Sequence, residues 1–164
     1  MEKALENLKN AKGPVKEILN SMLDDVERFT ESKLSYYATY DEDTEVLTMV
    51  GWSMSAMNDC KLITKPIVYP LDETGLWGDA VRERGPCITN DYENATSPNK
   101  KGYPESHVKV NRHMNIPVFD PDDEDEIVGV LGIGNKVGEY TDADAKSLME
   151  FAQKAIEILQ DHLD

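Results

Sequence analysis

The chain has only two cysteines in 164 residues, Cys60 and Cys87, and they are not in a CxxC spacing. That excludes a disulfide framework and gives no support to a zinc ribbon or a dithiol redox motif, so both are expected to be free thiols. Histidine is equally sparse: His107, His113 and His162 form no i, i+4 pair, and a metal site would need carboxylates from elsewhere. No metal site is expected. No stretch approaches the roughly 18 consecutive apolar residues of a membrane span. The segment from Met1 to Gly13 lacks the apolar core of an export signal, so the chain is expected to be cytoplasmic and the sequon Asn94-Ala95-Thr96 carries no weight.

Positive charge is also scarce. Lys and Arg total 17 against 32 Asp and Glu, a formal charge of -15. A field of that sign repels phosphate backbones, which argues against a nucleic-acid partner. What is present is a 40% hydrophobic fraction, enough for one core in a chain the length of one ordinary domain.

Leu5, Leu8, Val15, Leu19, Met22, Val26 and Phe29 make a heptad-like helical stripe that Gly13-Pro14 interrupts. We expect a flexible or helical leader over residues 1–13, then a single domain over 14–164 that opens with a helix from about Pro14 to Glu31. Ala145, Leu148, Ala152, Ala155 and Leu159 form a matching stripe near the other end, widened by Met149, Phe151, Ile156 and Ile158. Between the two the period moves towards 2. Ser35–Tyr40 and Glu45–Trp52 read as a hairpin, Ile63–Leu71 as a third strand, Thr74–Arg84 as a helix and Cys87–Thr89 as a short strand. Met114–Phe119 and Ile127–Ile133 read as strands joined by a solvated acidic tip over residues 120–126.

The order of elements implies an α+β layer: a sheet built mostly of antiparallel hairpins, with the terminal helices packed on one face. The other face is left to the central helix and the stretch from Asp91 to Asn111, about twenty residues long, which exceeds an ordinary connection. A pocket between the sheet and this lid is the expected ligand site. Its candidate residues are Trp77 on the helix, Asp91 and Tyr92 at the start of the lid, and Lys101, Tyr103 and His107 within it. Arg112 and His113 follow, one of which should face inward by strand alternation. Arg112 suits an anion, because a guanidinium binds carboxylate or phosphate bidentately. Arg82, Arg84, Lys100, Lys101 and Lys109 fall around the same lid and would give it a locally basic mouth.

Other motifs fail on spacing. In Gly129-Val130-Leu131-Gly132-Ile133-Gly134-Asn135-Lys136, Asn135 separates the last glycine from the lysine, so the run is no phosphate loop, and no third glycine completes a dinucleotide fingerprint. The acidic run from Asp120 lacks the glycine and the final glutamate of a calcium loop. Cys87 and His113 lack any haem attachment motif, and no cofactor is specified.

Several segments together are similar to a known family. Gly75-Leu76-Trp77-Gly78, Ala80-Val81-Arg82, Pro86-Cys87-Ile88-Thr89-Asn90-Asp91-Tyr92, Lys100 to Val108, Arg112-His113 and Ile116-Pro117-Val118 resemble the GAF domains of bacterial and archaeal sensor proteins. Asn135-Lys136, Tyr140 and Asp144 resemble that family's Asn-Lys, aromatic, Asp-Glu signature, with Tyr140 for the usual Phe and Ala145 where the Glu would stand. The resemblance implies a central antiparallel sheet of five to six strands, terminal helices on one face and a helix and loop lid over a pocket on the other. It further implies a regulatory, non-enzymatic domain that senses a small molecule and signals through a homodimer to an output domain or partner such as a histidine kinase or cyclase. Lys136 and Asp144 are expected to pair across the turn into the last helix, while Thr141 and Asp144 form a capping box, two uses competing for one carboxylate. Two other readings are a thiol-dependent enzyme of the free methionine sulfoxide reductase type and a ligand-free dimerisation module whose pocket Trp77 and the tyrosines fill.

Overall fold

The computed structural model describes residues 1–53, 67–95 and 110–163. Helices α1 (Glu2–Asn10) and α2 (Val15–Phe29) lead into the hairpin of β1 (Leu34–Asp41) and β2 (Val46–Trp52). Strand β3 (Ile67–Pro70), the short helix α3 (Asp79–Glu83) and β4 (Cys87–Thr89) come next. The hairpin of β5 (His113–Asp120) and β6 (Asp123–Gly134) and the long helix α4 (Asp142–Leu163) complete the described chain. The strands form one six-stranded sheet in the order β3-β2-β1-β6-β5-β4, every neighbouring pair antiparallel. This is the α+β architecture the element order implies.

Strand alternation divides the sheet into two differently used faces. Tyr37, Met114, Ile116, Val118, Leu131 and Ile133 share a core with the apolar stripes of α1, α2 and α4. All five residues of the α4 stripe are buried, and Phe151 sets its ring 5.0 Å from that of Phe29. Each fully buried side chain of this size contributes about 1.5–3 kcal/mol, so this face dominates stability. On the opposite face Leu34, Tyr36, Ala38, Leu47 and Val130 pack with Ala80 and Val81 of α3, joined at the margin by Trp52, Trp77 and Phe119.

The structure alters four local expectations. The helix foreseen over Thr74–Arg84 is α only from Asp79 to Glu83, preceded by 3-10 turns at Leu71–Glu73 and Leu76–Gly78. The backbone leaves the helical region at Thr74 and Gly75, at ψ 148° and -145°, and Arg82 braces the turns so formed by donating to the carbonyls of Leu71, Thr74 and Gly75 and to Asp79. Strand β3 occupies 67–70, and the part of the expected strand at 63–66 lies outside the described residues, as do Met54, Met57 and Cys60. The acidic run is a tip only at Pro121-Asp122, because Asp120 pairs with Asp123 and β6 begins there. Val15 of the heptad stripe is exposed, since Pro14 places it at the first helical position, outside the buried arc.

Candidate functional site

The sheet face beneath α3 carries its polar groups in one place. Tyr36 on β1 lies over Gly132 of β6, and its hydroxyl reaches the Nε2 of His113 on β5 at 2.8 Å. The two rings stack with centroids 5.8 Å apart, and Trp77 meets Tyr36 edge-on at 6.3 Å and Tyr69 at 5.7 Å. Burial pushes the Tyr36 hydroxyl well above the ordinary tyrosine range, which keeps it neutral. Asn115, almost wholly buried, donates from Nδ2 to the backbone carbonyl of Trp77 at 2.6 Å, so the sheet holds the 3-10 turn above it.

Of the Arg112-His113 pair, His113 is the residue that faces this cluster. Arg112 instead donates from Nη1 to the carbonyls of Lys136 and Val137 at 3.4 and 3.3 Å. Arg84 lies elsewhere, bonded to Glu42 and to the carbonyl of Asp125 with its guanidinium over the Phe119 ring. With Arg82 committed to the 71–79 turns, Arg82, Arg84 and Arg112 do not converge on one opening, and the basic mouth would have to come from Lys100, Lys101 and Lys109. Those three, with Tyr103 and His107, lie outside the described residues. An open groove of about 510 Å³ sits at the hairpin tips, lined by Tyr40, Asp41, Glu42, Asp43, Asp123, Asp125 and Glu126. Burial and the surrounding carboxylates Asp120, Asp123, Glu42 and Asp43 push the Glu126 carboxyl up, the signature of a local field that rejects anions.

The described ends of the segment over 91–112 are bolted to the rest of the domain by asparagines. At its start, Asn90 exchanges two bonds with the backbone of Tyr140, donating from Nδ2 to the carbonyl and accepting the N–H on Oδ1 at 2.7 Å. Asp91 caps the turn that follows it by accepting from the Asn94 N–H, and the Tyr92 N–H donates to the Asn111 carbonyl at 3.0 Å, which closes the stem. At its end, Asn135 sits in the left-handed region at φ 63° and accepts the N–H groups of Asn111 and Arg112 on Oδ1. Both ends of the segment are therefore tied to the connection between β6 and α4.

That connection is itself cross-linked. Asp144 Oδ2 accepts both from Lys136 Nζ at 3.2 Å and from the Thr141 N–H at 2.9 Å, while the Asp144 N–H donates to Thr141 Oγ1. The two expected uses of this carboxylate do not compete, because a single oxygen has lone pairs for both. Partial burial pushes the Asp144 carboxyl up, but the bonds from Thr141 and Lys136 outweigh it and hold the group below the ordinary carboxylate range. Tyr140, pushed up to about 12 by burial, joins its hydroxyl to Ser32 Oγ at 2.7 Å and accepts the Lys136 N–H, which ties the turn to the end of α2.

Sequence reasoning missed Tyr36, Asn90, Asn115, Gly132 and the anchoring role of Asn135. A readable signal existed for Asn115, a lone amide in the apolar run Met114 to Phe119, where a polar side chain must find a buried partner. Cys87 is a free, half-buried thiol whose pKa is raised to about 11 by burial and by the carboxylates of Asp79 and Glu83. A low-pKa nucleophile needs the opposite environment.

A family model described as the GAF domain matches residues 13–160. A methyl sulfide methyltransferase-associated sensor of Methanosarcina acetivorans is 45% identical over 146 residues, covering 89% of this chain and 14% of that protein. The chain thus spans 14% of the length of this relative. The GAF domain from a phosphoenolpyruvate-protein phosphotransferase of Coxiella burnetii superposes with a TM-score of 0.74 at 16% identity, over 99% of this chain and 94% of that one. A free methionine-R-sulfoxide reductase from Neisseria meningitidis, in complex with its substrate, superposes with a TM-score of 0.68 at 14% identity, over 97% and 87%. At such identities the likeness is one of fold.

Proposed function

We propose, from the premise that the chain belongs to the GAF domain family, that this regulatory signalling domain senses a small molecule held between the Tyr36-His113-Trp77 face and the segment over 91–112. Asp91, Tyr92, Lys101, Tyr103 and His107 would then line the closing side, Arg112 the stem, and the lysines would favour an anion. The observation that carries this reading is the double anchoring of that segment by Asn90 and Asn135 to the turn that starts α4. A ligand that orders the segment biases the position of this turn. Through Tyr140 and Ser32 the bias reaches α2 as well, so the terminal helices of a homodimer carry the signal to an output domain or partner in the cytoplasm. Among the described residues no helix is long and apolar enough to cross a membrane.

The test is a thermal-shift screen of small metabolites on the full chain, followed by hydrogen exchange with the best hit. The expected result is slowed exchange in both 91–95 and the first turn of α4, with the α4 effect lost in an Asn90→Ala, Asn135→Ala double variant. Protection confined to the segment would refute transmission.

A second reading is favoured by one observation: Tyr36, Trp77 and Tyr69 already fill part of this face with their own rings. In that case the domain is a ligand-free dimerisation module, and the screen returns no hit. The reductase reading finds no activated thiol at Cys87.

A further inference from the structure

The chain has four arginines, and three of them face carboxylates: Arg28 pairs with Asp25 at 2.7 Å, Arg82 with Asp79 at 2.6 Å and Arg84 with Glu42 at 3.3 Å. Arg112 has no carboxylate partner among the described residues, in a chain where Asp and Glu outnumber Lys and Arg by 32 to 17. Its Nε is shut off from solvent and makes no hydrogen bond, and Nη2 makes none among the described residues either. A buried donor without an acceptor is costly, because it has given up its bond to water and gained none in return. The guanidinium is nevertheless held in place. Nη1 donates to the carbonyls of Lys136 and Val137, and the Arg112 backbone N–H donates to Asn135 Oδ1. The residue as a whole is only half-buried, which leaves a side from which a small ion approaches.

We propose that the Nε–Nη2 edge of Arg112 binds a carboxylate group of the sensed molecule side-on, with one oxygen on each N–H. The inference rests on the small-molecule reading above and names the chemical class that the site takes. This edge of a guanidinium presents two parallel N–H groups at the spacing of the two carboxylate oxygens, and such a ligand supplies the acceptor that Nε lacks. Charge decides between the oxyanions. A phosphate group brings about two negative charges into the field of a chain at -15, whereas a carboxylate brings one and is repelled less. The same guanidinium then faces two ways: Nη1 grips the connection between β6 and α4 while the opposite edge holds the ligand. A ligand that fixes the arginine thereby fixes the two carbonyls it bonds, which places ligand and signalling turn on one side chain.

The experiment titrates the isotope-labelled full chain with benzoate, benzamide and phenyl phosphate at constant ionic strength, three probes that share one ring and differ in the group they offer. The Arg112 Nε–H signal is identified by its loss in Arg112→Gln. Benzoate is expected to shift that signal saturably, with the amide signals of Val137 and Gly138 following, and to bind roughly tenfold tighter than either of the other probes. Arg112→Lys should weaken benzoate by roughly tenfold, since an ammonium lacks the paired edge. An unmoved Nε–H signal, equal or tighter binding of benzamide or phenyl phosphate, or benzoate binding retained in Arg112→Gln overturns the carboxylate assignment. In each of these cases a metabolite hit from the thermal-shift screen leaves the sensing reading standing. A screen without a hit, together with an unmoved Nε–H signal, overturns both.

Discussion

The Tyr36 hydroxyl and the His113 imidazole meet at 2.8 Å across β6 because Gly132 leaves room for the tyrosine ring between them. A Cβ on Gly132 would fall 2.1 Å from Tyr36 Cζ, a distance real atoms do not reach. The geometry of the sheet face thus depends on one absent side chain.

Gly132→Ala is expected to displace Tyr36, break its bond to His113 and destabilise the domain by about 1–3 kcal/mol through overpacking. Urea denaturation measures the cost, and the His113 ring signals report the lost bond. Unaltered stability together with unaltered ring signals would show that the Tyr36-His113 pair does not depend on this glycine.

Asn135 does two things at once, holding a left-handed backbone and accepting two N–H groups at the stem. Asn135→Gly keeps the first and loses the second, whereas Asn135→Ala loses both. Glycine is therefore expected to cost roughly 1 kcal/mol and alanine roughly 2, with faster amide exchange at Asn111 and Arg112 in each. Equal costs for the two variants would mean that the conformation contributes nothing.

Removing the Asp144 carboxylate by Asp144→Ala should cost about 1 kcal/mol, the usual worth of a helix cap. Lys136→Met should cost less, about 0.2–1 kcal/mol, because that pair is partly exposed. The carboxyl is held below its ordinary value, so its contribution is fully present above the ordinary carboxylate range and is lost as pH falls through the lowered folded value. An acid titration of stability for Asp144→Asn should lack that component of the slope. A slope identical to the unaltered chain would sink the assignment.

Cys87 should alkylate slowly. A thiol moved from 9.0 to about 11 carries roughly a hundredfold less thiolate at neutral pH, so iodoacetamide modification of a Cys60→Ser chain should rise steadily towards pH 11. The folded state holds this proton more tightly than the unfolded one, so the same group lowers stability as pH climbs from 9 to 11. Rapid modification at pH 7 would restore the case for a reactive thiol.

Much of the architecture was legible because it follows from periodicity. The α2 and α4 stripes, the two hairpins and β4 are each local patterns, and a buried face repeated every 3.6 or 2 residues admits few other structures. Lys136, Thr141 and Asp144 were legible for the same reason, being close together in the chain. The short α3 was not, because the turns before it are braced by the Arg82 side chain folding back on carbonyls up to eleven residues earlier.

The sequence by itself determined the α+β layer, the helices on one face and the resemblance to GAF domains with their five to six strands, since hydrophobic pattern and short motifs are properties of neighbouring residues. Only the tertiary structure decided that His113 rather than Arg112 faces the cluster, that Tyr36 crosses Gly132, and that Asn90 and Asn135 bolt both ends of one segment to the start of α4. These are hydrogen bonds between residues 24 to 77 positions apart, and such a partner is chosen by which strands lie side by side and how far each is offset. Sheet register sets that choice, and no local pattern carries it.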